Sequence, residues 1–389
     1  MGKLRYLLLS PGRFHYFEVA RILYSRNQLI KIISGYPWFK LKKQNIPNDY
    51  VEHFGLFQVL TNLILRTQLF YGKKFVDYLI KLNCKKVDQL ACKYIDQADV
   101  LLSMSGVGLK SGKKMIANNK IYICERTSAH ILFQQKILTE ENKELNRTPI
   151  AFNQWYINRE LQEYEESSMI LVPSLFVKET FKKYYTSKVH AITLSINLKN
   201  YYPINTIKKN DNFFDILFIG SVSIRKGLHY LIDAFHKFNH PNKRLHIIGS
   251  PTSDKNFFNN KLKHDKIFYY KNVSHLRLLE IINKSHIFVL PSLEDGFAIV
   301  VLEALACGCP VIVSENTGAA DIVNKNKCGF TIPIRNSQAI SDKLTLLSDN
   351  KNLLNEFSHN GLKLTKSLTW DDYVNRLNHL ILEIKKNKI

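Results

Sequence analysis

Residues 290–313 read LPSLEDGFAIVVLEALACGCPVIV, an apolar run, a short polar loop and a longer apolar run. This pattern predicts a strand that ends at Leu290 and a helix that begins near Phe297. The loop between them carries the carboxylates of Glu294 and Asp295. The free N–H groups and the positive dipole end of such a helix face the loop. The stretch therefore predicts a site for an anionic ligand.

Two carboxylates in this stretch lie eight residues apart. Asp295 precedes the helix, where an Asp is also a good N-cap, so a structural role stays open for it. Glu303 lies within AIVVLEALAC (298–307), which is otherwise apolar, and a buried carboxylate there needs a partner or a ligand. Eight residues of helix span ~12 Å, on the order of the distance from a sugar ring across a diphosphate to a ribose. One helix could thus hold both ends of a nucleotide sugar.

Short apolar runs alternate with helical patterns on both sides of this stretch, which is typical of α/β proteins with parallel sheets. The predicted strands are 6–10, 100–104, 121–124, 169–173, 189–194, 214–219, 245–248, 267–270, 287–290 and 310–313. The predicted helices of the second half are 226–238, 275–284, 298–307 and two or three closing helices, of which the last spans about 371–387. We therefore expect doubly wound parallel sheets.

Two domains are expected, because 389 residues are too many for one core of ordinary size. Residues 198–212 are polar, contain Pro203 and show no clean period, so they are predicted to form a linker. The first domain would span 1–197, with the last helix, 371–389, able to complete it, and the second would span 213–370. Two doubly wound domains bind ligands at the carboxyl ends of their strands, which places the site in the cleft between them.

The composition describes a folded and strongly basic chain. Hydrophobic residues make up 45% of the sequence, which argues against disorder. The formal net charge is +22, of which residues 1–200 contribute +14 and residues 201–389 contribute +8. Such an excess favours anionic partners, namely phosphates, acidic lipid surfaces or nucleic acid. A Lys-rich, AT-biased genome would produce the same excess without any function.

The six cysteines show neither C-x-x-C spacing nor a His pattern for zinc. No disulfide framework and no secretory signal peptide are recognised, so we expect a protein of the reducing cytoplasm. No metal-binding D-x-D occurs at a predicted strand end, and we expect neither a metal nor another cofactor.

The stretch 290–313 resembles the signature of the family 4 (GT4) retaining glycosyltransferases, which have the GT-B fold of two Rossmann-like domains facing each other across a cleft. In that signature a carboxylate, Gly, Phe and a small residue precede a second carboxylate, eight positions after the first, and the sequence E-A-x-A-x-G-x-P-V-I. Residues 295–298 and 303–312 match it. Asp295 stands where the family usually has Glu, and Ala298 where it usually has Gly.

The resemblance implies a role for each residue of this signature. Asp295 and Gly296, with the backbone N–H groups of Phe297 and Ala298, would hold the donor sugar. Asp295 would also belong to the catalytic centre. Glu303 would hold the ribose of the donor.

A second stretch, DILFIGSVSIRKGLHYLIDAF (215–235), predicts a strand that ends at Gly220 and a helix that opens at Arg225 and Lys226. Two cations at such a junction could clamp a diphosphate, and a solvated basic turn is the alternative. The stretch resembles the opening of the second domain in the same family, whose basic residues bind the donor diphosphate. Many members have an Arg at the position of Ser221, so Arg225 would take over that role beside Lys226.

The first half resembles the family weakly. Gly12 follows the first predicted strand, where the family has a Gly-bearing loop near the donor phosphates and the acceptor, and an ordinary turn is the alternative. His130 lies in CERTSAHILFQQ (124–135) and resembles the loop His that family members place beside the donor sugar. We assign it to the catalytic centre, and a polar residue at a helix start is the alternative. Residues 194–203, LSINLKNYYP, resemble the family's interdomain segment G-V-D-x-x-x-F-x-P.

We therefore predict a metal-independent glycosyltransferase that moves a sugar with retention from a UDP- or GDP-sugar to a glycan or lipid-linked acceptor, in cell-surface polysaccharide or glycolipid synthesis. A nucleotide-sugar epimerase of GT-B fold, or a basic nucleic-acid- or membrane-binding protein without catalysis, stays the alternative. A dinucleotide dehydrogenase is excluded, because no G-x-G-x-x-G follows a strand. No RNP-type motif, helix-turn-helix signal or zinc finger indicates a nucleic-acid partner.

The run FGLFQVLTNLILRTQLF (54–70) is apolar with one charge, Arg66, and basic aromatic segments flank it. It reaches the length of a membrane span only at the limit, so we favour an amphipathic helix on an anionic lipid surface. A buried helix of the first domain is the alternative of equal weight. A peripheral position on the inner face of the plasma membrane is thus an open option for this otherwise cytoplasmic protein.

Overall fold

A computed structural model describes residues 3–12, 14–35, 41, 44–53, 73–148 and 152–386. The apolar run 54–70 and the three lysines before it, at positions 40, 42 and 43, lie outside the described residues. No helix within the described ranges combines the length and the apolar character that a bilayer crossing requires.

The first described sheet has seven parallel strands in the order β3-β2-β1-β4-β5-β6-β7. In chain order these strands are Tyr6–Ser10 (β1), Leu29–Ser34 (β2), Val51–His53 (β3), Val100–Met104 (β4), Ile121–Glu125 (β5), Met169–Val172 (β6) and Val189–Ala191 (β7). The residues of β1, β4, β5 and β6 are all buried, because helices cover both faces of a parallel sheet and its strands read as continuous apolar runs.

The described helices of this domain connect its strands. They are Tyr16–Ser25 (α1), Lys73–Ala91 (α2), Leu109–Ala117 (α3), Ile131–Glu144 (α4), Gln154–Glu166 (α5) and Leu175–Phe181 (α6). Side chains cap three of their N-termini: His130 for α4, Asn153 for α5 and Ser174 for α6 each accept a backbone N–H of the first turn.

The second described sheet has six parallel strands in the order β10-β9-β8-β11-β12-β13. They are Phe214–Ile219 (β8), Lys243–Ile248 (β9), Ile267–Tyr270 (β10), Ile287–Leu290 (β11), Val311–Ser314 (β12) and Gly329–Ile332 (β13). The helices between and after them are Leu228–Lys237 (α7), Lys255–Phe258 (α8), His275–Lys284 (α9), Ile299–Ala306 (α10), Ala320–Asn326 (α11), Ser337–Asp349 (α12) and Lys351–Lys366 (α13). Residues 192–213 connect the two sheets without a helix or strand.

The last helix, Trp370–Lys386 (α14), returns to the first domain. It packs against α1, and its buried side chains join the core formed by the first sheet. The ring of Trp370 stacks on His15 with 5.8 Å between the ring centroids, and Tyr6 donates a hydrogen bond to Asn378 at 2.6 Å. The second sheet has a separate core of its own.

Strand order reverses between β1 and β4 in the first sheet and between β8 and β11 in the second. In open parallel sheets the crevice at such a reversal, beyond the carboxyl ends of the strands, is where ligands bind. The loops after β8 and β11 are the two stretches on which the sequence predictions for the donor site depend. The fold therefore brings these two stretches to one point.

Candidate active site

The loops after β8 and β11 touch each other at the reversal of the second sheet. Gly227 has a φ of 65°, and a Cβ atom there would lie 1.9 Å from the carbonyl oxygen of Pro291. Only glycine tolerates both the left-handed backbone and this close approach. The contact brings Arg225 and Lys226 of one loop against Glu294 and Asp295 of the other.

Lys226 and Asp295 form an ion pair whose side chains are both largely buried. Burial alone would raise the pKa of Asp295, but Lys226 and Arg225, with the backbone N–H of Phe297, outweigh it and lower that pKa. The Asp295 carboxylate is therefore ionised at neutral pH and holds a cation at the carboxyl ends of β8 and β11.

Arg225 pairs with the neighbouring carboxylate. Its Nη1 donates to the side-chain Oε2 and to the backbone oxygen of Glu294, at 3.1 Å each. The fully buried Glu294 side chain also accepts the N–H of Ala129 at 2.7 Å and the amide of Gln134 at 2.8 Å, both from the first domain. Glu294 thus joins the loop after β8 to the first domain. The sequence interpretation assigned it no role, although its position beside Asp295 was the available signal.

Gly296 and the first domain approach each other closely at the same place. A Cβ atom on Gly296 would lie 1.7 Å from the carbonyl oxygen of Thr127, and Ser174 donates its hydroxyl to the oxygen of Gly296 at 2.8 Å. Helix α10 begins three residues later, at Ile299, after Ala298, whose backbone is left-handed with φ 59° and ψ 73°. Ala298 rather than Asp295 therefore occupies the N-cap position of this helix.

Glu303 has a partner within the protein. The hydroxyl of Tyr201, in the segment between the domains, hydrogen-bonds to its carboxylate. Burial raises the pKa of Glu303 to about 7, and the bond from Tyr201 lowers it only in part. Glu303, which was expected to need a partner or a ligand, thus has one uncharged hydrogen-bond donor, Tyr201. Its carboxyl group changes charge near neutral pH.

His130 lies on the first-domain loop that touches Glu294. Its ring Nδ1 accepts the backbone N–H of Leu132 at 3.3 Å, which makes His130 the N-cap of α4. The backbone N–H of His130 donates to the hydroxyl of Thr180. Burial and the nearby Arg126 lower its pKa to about 4. The imidazole is therefore neutral at physiological pH. Its bond to Leu132 is the contact expected under the alternative, a polar residue at a helix start.

Gly12 lies at the carboxyl ends of β1 and β2. Its carbonyl oxygen accepts hydrogen bonds from Ser10 at 2.9 Å and Ser34 at 3.2 Å, so the loop forms an ordered turn.

Within the described ranges, no group of three or more His, Cys, Asp or Glu side chains is arranged to hold a metal ion.

Comparison with known proteins identifies the fold and finds a family model that matches most of the second domain. Residues 204–364 match the model of the family described as glycosyl transferases group 1. The whole chain resembles sucrose-phosphate synthase from Thermosynechococcus elongatus, with a TM-score of 0.73, 15% identity and coverage of 99% of this chain and 100% of that one. It also resembles Anabaena Alr3699/HepE in complex with UDP-glucose, with a TM-score of 0.69, 16% identity and coverage of 98% and 100%. The protein therefore has the GT-B fold, which confirms the predicted fold class.

Among curated proteins, the capsular polysaccharide biosynthesis glycosyltransferase CapM of Staphylococcus aureus is 28% identical over 183 residues. That match covers 45% of this chain and 48% of CapM. Sucrose-phosphate synthase 4 of Arabidopsis thaliana is 36% identical over 95 residues, which are 24% of this chain and 9% of the plant enzyme. The chain thus spans less than half the length of either relative. These matches and the family model support a glycosyltransferase.

Proposed function

We propose that this protein transfers a sugar, with retention, from a nucleotide-diphospho-sugar to a glycan or lipid-linked acceptor. The observation that carries the proposal is the pairing of Lys226 with Asp295 and of Arg225 with Glu294 at the strand-order reversal of the second domain. Two cations and two carboxylates meet there, beside the N-terminus of α10. This is the arrangement needed to bind a diphosphate and to orient the sugar attached to it.

Each donor group has a candidate binder on the second domain. Lys226 and Arg225 would neutralise the diphosphate and stabilise it as it departs, so the proposal assigns no step to a metal ion. Asp295 and the backbone from Gly296 to Ala298 would hold the sugar. Glu303 would accept hydrogen bonds from the ribose hydroxyls, in place of or beside Tyr201.

The first domain would supply the other side of the transfer region. His130 follows the loop residues that touch Gly296 and Glu294, and Gly12 would approach the diphosphate from the turn after β1. A lipid-linked acceptor is supported by the surface of α2, which exposes the aromatic side chains of Phe75 and Tyr78 and, two to three turns further on, the cations Lys85 and Lys86. Such a mixture is typical of surfaces that contact anionic lipid.

Two measurements test the proposal. A screen of UDP- and GDP-sugars should find one that raises the melting temperature, because a ligand that binds only the native state stabilises it. Product analysis with that donor should then find the sugar on an acceptor. Recovery of a free, epimerised donor would instead establish the epimerase alternative, and the absence of any stabilising nucleotide sugar would contradict both.

A further inference from the structure

One face of the second sheet carries charged side chains where apolar ones are expected. Helices cover both faces of a doubly wound parallel sheet, so its inner strands usually read as continuous apolar runs. The inner strand β9 instead reads KRLHII and alternates, with Arg244 and His246 on one face. Asp215 of β8 pairs in register with Arg244 and adds a carboxylate to the same face. This face therefore presents polar side chains to the helix that covers it.

A cavity of about 360 Å³ lies between this face and helix α9. Its volume falls within the usual range for small-molecule sites, roughly 300–1,000 Å³. Arg244 and His246 line it from the sheet, and Arg277 and Lys284 line it from α9. Lys208 lines it from the segment between the domains. Basic side chains from three parts of the chain thus converge on one cavity.

The cavity is separate from the candidate donor site. Asp215 is the second residue of β8, whereas Arg225 and Lys226 follow the carboxyl end of that strand. The four steps of strand from Asp215 to Ile219 span ~13 Å. None of the described residues that line the cavity belongs to the loops after β8 and β11. A ligand in the cavity would therefore be additional to a nucleotide sugar.

Arg244 is held in one orientation by its neighbours. Its Nε and Nη2 donate to the two carboxylate oxygens of Asp215 at 2.6 and 2.7 Å, and its Cζ lies 3.9 Å from the ring centroid of Phe213. His246 donates to the same carboxylate at 2.9 Å. Burial alone would raise the pKa of Asp215, but the bonds from His246 and Arg244 lower that pKa to about 2. An ionised, buried carboxylate therefore fixes the guanidinium at the wall of the cavity.

The other edge of this guanidinium is available to a ligand. Nη1 of Arg244 makes no hydrogen bond with any residue that the structure describes, and Nη2 uses one of its two hydrogens on Asp215. Two parallel N–H groups on the edge of a guanidinium match two oxygens of a phosphate. The bond to Asp215 thus orients Arg244 without occupying the edge that binds anions.

The cavity also has more cations than nearby carboxylates neutralise. Arg277 and Lys284 share one partner, Glu280, at 2.6 Å each. Lys208 makes no ion pair in the part of the chain that the structure describes. With Arg244 these side chains make four cations against two carboxylates, one on β8 and one on α9, which leaves two positive charges in surplus. A phosphate monoester carries ≈ −1.5 to −2 at neutral pH and would neutralise that surplus.

We propose that this cavity binds the phosphate group of a small molecule, with Arg244 as the fork and with Arg277, Lys284 and Lys208 around it. The source of that group is a phosphorylated metabolite or free inorganic phosphate. The volume of the cavity favours the metabolite, because inorganic phosphate fills only a small part of it. The proposal goes beyond sugar transfer and does not depend on it, since the cavity lies outside the donor region.

Calorimetric titration at low salt with inorganic phosphate, glycerol 3-phosphate and ribose 5-phosphate tests this site. At least one of them should bind the wild-type protein, and uncharged ribose should not. The double variant Arg277→Gln with Lys284→Gln should weaken that binding at least about tenfold, because it removes two of the four cations. Both side chains are about half exposed, so their loss should leave the melting temperature nearly unchanged.

Arg244→Gln with Asp215→Asn removes the fork together with its buried partner and should weaken binding at least as much. Lys263→Ala is the matched control, because Lys263 is exposed in the same domain and does not line the cavity. Lys226→Gln with Asp295→Asn removes an ion pair of the candidate donor site instead. Both of these proteins should bind the phosphates as the wild type does.

Tighter binding of an ester than of inorganic phosphate would identify a phosphorylated metabolite as the source, and the reverse order would identify free phosphate. Failure of all three phosphates to bind the wild type would overturn the proposal. So would binding that the donor-site variant abolishes and the α9 variant leaves unchanged, because the phosphate would then occupy the donor region. A wild type that binds phosphate here but no nucleotide sugar would count against the proposed function and leave this site standing.

Discussion

The carboxylate of Glu294 accepts the backbone N–H of Ala129 at 2.7 Å, across the boundary between the two domains. The same carboxylate neutralises Arg225 in its own domain. Because the side chain is fully buried, neither contact is replaced by water when it is lost. Glu294 therefore couples the position of Arg225, a candidate for binding the diphosphate, to the contact between the two domains.

Glu294→Ala should lower the free energy of unfolding by about 1–3 kcal/mol, because buried donors on both domains lose their acceptor. Thermal unfolding followed by calorimetry measures the change. Glu383→Gln on the exposed face of α14 is the control and should be neutral. An unfolding temperature for Glu294→Ala equal to that of the wild type would show that this bond contributes nothing to domain closure.

Lys226→Ala should weaken the binding of UDP at least about tenfold and leave the binding of uridine nearly unchanged, because only the diphosphate contacts the ammonium. Titration calorimetry with both ligands gives the comparison, and Lys237→Ala at the far end of α7 is the control. The single change leaves Asp295 buried without its cation. The double variant Lys226→Gln with Asp295→Asn removes that problem and should show the same selective loss. Equal losses for UDP and uridine would rule out a diphosphate role.

Glu303→Gln should cut transfer strongly without unfolding the protein, because an amide replaces the carboxylate that would accept the ribose hydroxyls. The pKa of this carboxyl is raised in the folded protein from 4.5 to about 7, so its contribution to stability is present below pH 4.5 and is lost as the pH rises through about 7. The melting temperature of the wild type should therefore fall relative to Glu303→Gln over that window.

Ligand binding should report the same group with the opposite sign. Uridine or guanosine, which carry the ribose without phosphates, should bind more tightly as the pH rises through about 7, where Glu303 becomes ionised. Glu303→Gln should show no such rise. A folded Glu303→Gln variant with the turnover of the wild type would contradict the assignment of Glu303 to the ribose.

Ala298→Gly should stabilise the protein by up to about 1 kcal/mol. An L-residue in the left-handed region costs roughly 1–2 kcal/mol, which the greater freedom of glycine in the unfolded chain offsets in part. Ala319→Gly is the control, since its φ of −80° is ordinary and glycine there should destabilise. Chemical denaturation of the two variants measures both changes, and a loss of stability for Ala298→Gly would contradict the strain argument.

Docking on an anionic membrane would appear as sedimentation with anionic vesicles, but not with neutral ones, and as release at high salt. Changing Lys40, Lys42 and Lys43 to Glu should lower vesicle binding and leave donor hydrolysis in solution unaffected. The same charge change in the second domain, at Lys263, Lys266 and Lys271, should have less effect. A wild-type protein that ignores anionic vesicles at low salt would favour a soluble acceptor and a core role for residues 54–70.

Much of the fold could be read from the sequence, because strands buried on both faces form continuous apolar runs. All ten predicted strands are present, with ends that differ by at most three residues. The sequence interpretation missed β2, whose LIKIIS is interrupted by Lys31, and the short strands β3 and β13. These three strands are defined by their pairing with neighbouring strands of the sheet, and their own sequences show no clear strand pattern.

The candidate site could be predicted only in part. The loops with Lys226 and Asp295 were both assigned to the donor, because each joins a predicted strand to a helix and both resemble donor-binding segments of one family. The reversal of strand order at which they meet was not predicted. Glu294 accepts a hydrogen bond from Ala129, which lies 165 positions earlier in the chain. Glu303 accepts one from Tyr201, about a hundred positions earlier. Such contacts depend on how one domain lies against the other, and nothing in a single sequence states that geometry.

The return of α14 to the first domain has a consequence for how the chain is made. Trp370 and Tyr373 complete a core whose other members lie almost entirely before residue 200. During synthesis this core stays incomplete while the whole second domain leaves the ribosome. The domain made first is therefore the one that finishes folding last, the reverse of the usual order in multidomain proteins.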